Sequence, residues 1–359
     1  MLAVKVLPKE YELISSWLLR LTNNNGTNIN VLSDFLFNNS KLTLNDIDKS
    51  LESKDIHQLA EYTDIDSKII ERLTLKNFLS SFSKEPLDSL KKWKWIIPSG
   101  TKYTIKTNGL LFCSKCLEEK NTIFYIFNRL SWNIICPIHK QLLQNKCSRC
   151  NHQFSPNLKN FNDTFHICSY CNYDLSLDIS DENISCESLE LQIYLNNCIK
   201  EKQIIKSNYN LLDKTLFELF YTTRTLLNFT LAIQKNKRII NLLKEEFQLN
   251  NKLFFKNKAT LYFDILRSEE RMKLMHIISR FLKMDIKLFE NFLRISKITY
   301  RQFLASNTAI PESSTIKYLS KNLKIRETSQ NKRTHHKKIQ PKSEEEVDIL
   351  MYELEEFLE

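Results

Sequence analysis

Residues 113–171 read CSKCLEEKNTIFYIFNRLSWNIICPIHKQLLQNKCSRCNHQFSPNLKNFNDTFHICSYC. Four short turns punctuate this stretch: Cys113-Ser-Lys-Cys116, Cys136-Pro-Ile-His139, Cys147-Ser-Arg-Cys150 and Cys168-Ser-Tyr-Cys171. A two-residue gap brings both ends of a tight turn onto one metal ion, and zinc takes four such soft or borderline donors in a tetrahedron. The intervals 117–135 and 151–167 have the lengths found in zinc ribbons. The four turns therefore predict two structural zinc ions. Either neighbouring turns share an ion, or the turns alternate in a cross-braced arrangement. Only residues 140–146 separate the second turn from the third, which favours the sequential pairing: Cys113, Cys116, Cys136 and His139 on one ion, Cys147, Cys150, Cys168 and Cys171 on the other. His152 and His166 could stand in for a ligand in the second set, but with Cys168 and Cys171 present they read as surface residues.

Two complete sets of four protein ligands leave no open position for water, which argues for structural rather than catalytic zinc. The deaminase pattern of H-x-E with P-C-x-x-C is absent, because Pro137 follows Cys136. The histidine and the split spacing argue against an iron–sulfur cluster. Walker loops, glycine-rich nucleotide fingerprints and nucleophile elbows are missing too, and a chain with three glycines could hardly build them. The sequence does not read as an enzyme.

Outward from this block the pattern is helical, as so low a glycine count suggests. Leu13, Ile14, Trp17, Leu18 and Leu21 recur at helical spacing, and Asn23-Asn24-Asn25-Gly26 supplies the stop. A second helix is expected around Ile29–Phe37. In Ile56–Leu75, one apolar stripe is Ile56, Leu59 and Ala60, and another is Ile69, Ile70 and Leu73. Between them lies Thr63-Asp64-Ile65-Asp66, with Asp66 or Ser67 placed to cap the second helix. The pair resembles a helix-turn-helix, whose cations would be Lys68, Arg72 and Lys76. Trp93 and Trp95, in the Pro86–Gly100 linker, are expected to pack one domain on the next. Helical periodicity returns at Leu189, Ile193 and Leu195, continues through Leu211–Ile233 and Ile239–Phe247, and closes in Ile277–Leu282, Leu288–Leu293 and Tyr300–Leu304. The fold class is thus mainly α with small β zinc-ribbon modules. Its divisions are a helical N-terminal domain (1–105), a tandem zinc-binding block (106–180), a helical C-terminal domain (181–313) and a charged tail (314–359). The tail is basic from Lys321 to Lys342 and acidic from Glu344 to Glu359, where Val347, Leu350, Met351, Leu354 and Leu358 could line one helix face.

The formal charge of +10 suggests an anionic partner, nucleic acid before membrane. No apolar run reaches the ~18–20 residues of a spanning helix, and no secretory signal is evident at Met1–Leu7. A cytoplasmic location follows as the expectation, where thiols stay reduced and available to metal.

Several of these residues together resemble the TniQ/TnsD family of transposon target-selection proteins. Leu7-Pro8-Lys9-Glu10 leading into Leu13, Ser16-Trp17-Leu18 and Arg20-Leu21 is similar to the family's N-terminal signature, with Asn25-Gly26 following. Leu59–Leu75 sits where the family has a helix-turn-helix. Phe112-Cys113-Ser-Lys-Cys116-Leu117 is like its first metal turn. Tyr125, Arg129-Leu130-Ser131-Trp132, Cys136-Pro137-Ile138-His139, Leu142-Leu143 and Cys147-Ser-Arg-Cys150 look like the rest. The resemblance extends from residue 7 to about 175. It implies a non-enzymatic adaptor that recognises attachment-site DNA or an RNA-guided CRISPR effector complex and recruits the transposon's AAA+ ATPase regulator; a homodimer is one assembly to consider. Under it the candidate phosphate contacts are Lys68, Arg72, Lys76, Lys140, Lys146 and Arg149. The alternative is a stand-alone zinc-ribbon or helix-turn-helix transcription regulator.

Overall fold

Glu12 has no exposed surface, and its carboxylate accepts hydrogen bonds from Ser16 Oγ and from Arg20 Nε and Nη2. This knot fixes the start of the first helix in the computed structural model. The model describes residues 3–37, 46–84, 87, 93–102, 105–107, 109–119, 123–154, 165–178, 183–234, 236–254, 262–304, 312–321 and 323. Helix α1 (Ile14–Asn24) buries Ile14, Trp17, Leu18 and Leu21 on its inner face. It stops where Asn25 donates to the Leu21 carbonyl and Gly26 takes φ +67°, a conformation that only glycine adopts without a Cβ penalty.

Helices α2 (Ile29–Phe37), α3 (Ile47–Ser50), α4 (Ser53–Thr63), α5 (Ser67–Glu71) and α6 (Leu75–Ser80) complete the N-terminal region. Ile29, Leu32, Leu36, Leu59, Ile70 and Leu73 close over the inner face of α1. The anticipated helical pair is α4 and α5, joined through Asp64 at φ +53° and capped by Asp66, whose carboxylate accepts from Lys68 N. Its second member is only five residues long, because Thr74 caps a new helix and ends the run. One expected core residue, Ile69, is 44% exposed. Neighbours on a helix point about 100° apart, so so short a helix can bury Ile70 but not also Ile69.

A small hairpin, β1 (Gly100–Lys102) with β2 (Ile105–Thr107), leads into the candidate metal-binding region, whose first turn runs into the single-turn helix α7 (Ser114–Leu117). Isolated antiparallel bridges at Phe112–Gln144, Ile135–Leu142, Lys146–Gln153 and Ile167–Asp174 frame its turns. Then come α8 (Cys186–Lys200), α9 (Leu216–Ile233), α10 (Lys237–Phe247), α11 (Ser268–Lys283), α12 (Ile286–Ile295) and α13 (Tyr300–Leu304). The stretch read as Ile277–Leu282 is the C-terminal part of the longer α11. Ile193 and Leu288, read as apolar-face positions, are 40% and 56% exposed. Helix α9 is buried on most sides, and its interior threonines Thr223, Thr225 and Thr230 donate to the carbonyls one turn earlier. Those bonds let polar side chains sit in an apolar core. The trio α11–α13 contributes Phe281, Phe289, Phe292 and Phe303 to the core, so its apolar faces are interior.

One continuous core joins Leu75, Phe78 and Phe82 to Trp95 and Trp132, to α8–α13, and to Ile316, Leu319 and Leu323. Residues 314–321 are helical, and Ser313 and Thr315 bond to Thr222 and the Leu212 N–H. The beginning of the segment read as a charged tail therefore packs into the body of the molecule. The basic and acidic runs beyond it, 324–359, lie outside the described residues. No described helix is long and apolar enough to cross a membrane.

Candidate metal centres

Three of the four turns share one backbone design. The N–H of Lys140, Asn151 and Asn172 donates to the carbonyl of Cys136, Cys147 and Cys168 respectively. The N–H of each of these cysteines donates in turn to Gln141, His152 or Tyr173. The residue after the second ligand takes positive φ: Lys140 +49°, Asn151 +58°, Asn172 +56°. Asparagine tolerates that conformation through its short polar side chain, whereas lysine there is uncommon. The fourth turn, at Cys113, runs instead into α7.

The turns bring the eight predicted ligands into two sets, Cys113, Cys116, Cys136 and His139, and Cys147, Cys150, Cys168 and Cys171. Within each, the ligand atoms lie within 4.8 Å of one another, and the grouping is sequential rather than cross-braced. Sulfur–sulfur separations are 3.8 Å for Cys116–Cys136 and 3.7 Å for Cys147–Cys171 and Cys150–Cys168. A disulfide would need ~2.05 Å, and none joins the nine cysteines. A tetrahedron with Zn–S bonds of ~2.3 Å has an edge of ~3.8 Å, so the sulfurs stand where zinc would hold them. His139 directs Nδ1 at the set, 3.4, 3.3 and 3.7 Å from the sulfurs of Cys113, Cys116 and Cys136. His152 and His166 belong to neither set.

The electrostatics agree with the geometry. Hydrogen bonding with Cys113 and Cys136 pushes the Cys116 thiol well above its usual range. Burial, with the contact of its neighbours, pushes Cys147 up to about 12. Crowded sulfurs cannot all ionise beside one another, and a dication is the chemistry that lets them do so. Of the residues present, the donor set and spacing fit zinc, which would cross-link the turns and supply no open coordination position.

The first set is built into the protein's interior: Cys113 and Cys136 pack with Ile97, Leu111 and Leu143. Around it, residues 124–131 act as a joint. Leu13 N donates to Phe124 O, Ile126 N to Tyr11 O, Ile97 N to Arg129 O and Ser131 N to Trp95 O. Arg129 is buried and reaches both Asp46 (2.6 Å) and Asp48 (2.7 Å). Its guanidinium lies so close to Gly109 that a Cβ there would meet it at 2.7 Å. Ser131 Oγ donates to Asp264, which also accepts from Trp95 N and pairs with Arg224 at 2.6 Å. Trp132 Nε1 donates to Asn196, and the N–H groups of Ile134 and Ile135 both donate to Gln192.

Sequence reasoning named Arg129, Ser131 and Trp132 but missed their partners Asp46, Asp48, Asp264 and Asn196, and missed Gln192, which holds the N–H groups of Ile134 and Ile135. These lie up to 133 residues away in sequence, and no local pattern marks them. The candidate phosphate contacts Lys68, Arg72, Lys76, Lys140, Lys146 and Arg149 are all exposed. They stand on or beside α5, α6 and the cysteine turns.

Residues 3–143 match the family model TniQ, so the chain carries a TniQ domain reaching from its N-terminal helices through the first metal set. The match covers well under half of the chain and ends before the second set. A TniQ domain supports a role in transposition target-site selection. No curated protein matches the chain.

Proposed function

We propose that this protein is a non-enzymatic adaptor that selects target sites in DNA transposition, recognising attachment-site DNA or an RNA-guided effector complex and recruiting the transposon's AAA+ ATPase regulator. The observation that carries this reading is the TniQ domain over residues 3–143. Two structural zinc ions, one in each four-ligand set, hold the frame between the helical N-terminal region and the helical C-terminal region in the cytoplasm. The closed ligand sets support a scaffold role, since zinc with four protein ligands has no vacancy for substrate. The six exposed cations offer phosphate contacts on the N-terminal helices and on the turns. The stand-alone DNA-binding regulator is less well supported, because α5, in the position of a recognition helix, has only five residues to offer a major groove.

The test is co-purification of the zinc-loaded chain with a transposon AAA+ ATPase regulator co-expressed with it, together with sequencing of insertion sites in cells. Specific retention of the ATPase, and insertions that lose their site preference when the chain is deleted, are expected. No retention, with insertion sites unchanged on deletion, would overturn the proposal.

A further inference from the structure

Tyr170 sits between two ligands of the second metal set, in Cys168-Ser-Tyr170-Cys171, and is 70% exposed. Its ring stacks on that of His152, centroids 3.3 Å apart and planes 13° from parallel. His152 follows the other turn of the same set, and its backbone carbonyl accepts from Cys147 N at 2.8 Å. The pair thus bridges the two turns that one ion would clamp, and both rings are held before any ligand arrives. One face of Tyr170 is covered by His152, and the residue stays largely open to solvent.

Hairpin 145–154 carries exposed Lys146 and Arg149 and no acid. Two carboxylates of the same region are held by hydrogen bonds: Asp174 accepts from Ser176 N and Oγ, and Asp178 from Ser148 Oγ.

We infer that Tyr170, backed by His152, is a stacking platform for an unpaired nucleobase, with Lys146 and Arg149 meeting the flanking phosphates. Bases within a duplex have both faces covered, so the ligand is a single-stranded stretch or a flipped-out base, held with little sequence preference. This deepens the proposed function on its nucleic-acid side and rests on that reading only for its biological setting.

The experiment uses the full zinc-loaded chain and one short labelled oligonucleotide, single-stranded and as a duplex, with 2-aminopurine in the single strand to report stacking. Tighter binding of the single strand is expected, with quenching of 2-aminopurine. Tyr170→Ala should weaken single-strand binding by roughly five- to a hundredfold and remove the quenching. Tyr170→Trp should keep both, and zinc content should be unchanged in either variant. Unaltered binding and quenching in Tyr170→Ala would overturn the inference while leaving the adaptor reading intact. The same holds if Tyr170→Ala loses only the ATPase, which would make the ring a protein contact. Tyr170-dependent binding in a chain whose deletion leaves insertion sites unchanged would instead sustain the inference and remove the adaptor.

Discussion

At Lys140, Asn151 and Asn172 the backbone turns left-handed without glycine, and each of these residues closes a metal-binding turn. Asp64 does the same between α4 and α5, as does Trp95 at φ +71° between the N-terminal region and the metal-binding region. Such conformations cost on the order of 1–2 kcal/mol for residues with a Cβ, and packing must offset that. Trp95 is held by Trp132, Phe220 and Phe263 around its ring and by Asp264 at its N–H. At the cysteine turns a metal ion is the natural clamp. Two zinc equivalents per chain are expected on metal analysis, and Cys150→Ser should reduce this to one. Retention of both by the Cys150→Ser protein would contradict the assignment. These ligands were legible in the sequence because turn geometry is local: a gap of two residues sets the sulfur positions with little help from elsewhere. Their pairing was less so, since it depends on which turns the surrounding bridges bring together.

Among the described residues, helices α8 and α11 make the broadest helix-to-helix contact. At one end Ser188 Oγ donates to Met272 O, and Ser185 Oγ lies 2.8 Å from His276 Nδ1, with Glu187 at 3.5 Å. Burial holds His276 below its usual 6.5, against the pull of Glu187. The unfolded chain therefore takes up a proton at a higher pH than the folded one. Stability from this group is complete above about pH 6.5 and is lost as the pH falls through the folded value, by at most about 1.4 kcal/mol per pH unit for one proton. Chemical denaturation at a series of pH values should show this slope, and His276→Gln should flatten it; an equal slope in the variant would assign the effect to other groups. Periodicity revealed that helices exist here, and α9 and α10 fall close to their expected spans. It could not find the N-terminal half of α11, where Ser268-Glu-Glu-Arg271 looks like surface. Arg271 is in fact buried and donates to the Ser131 carbonyl, 140 residues away.

Across the whole molecule, the metal-binding region and the C-terminal helices share one aromatic centre. Phe82, Trp95, Trp132 and Phe220 lie ring against ring, with centroids 4.3 to 5.9 Å apart. Removing one of these rings should be felt on both sides at once. Trp132→Ala is expected to cost about 3–5 kcal/mol. Helix loss by circular dichroism and zinc release should move together to a lower denaturant midpoint. A shift in one signal alone would mean that the regions unfold independently. By itself, the sequence determined what short-range geometry controls: the eight candidate metal ligands, most of the helices, and the residues that carry the resemblance to the TniQ signature. Only the tertiary structure decided that Arg129, Ser131 and Trp132 of that signature are connectors, pinning three distant parts of the chain to one joint. The physical reason is that a buried charge or indole must find partners wherever the fold supplies them. Asp46, Asp264 and Asn196 become those partners only once the chain has closed.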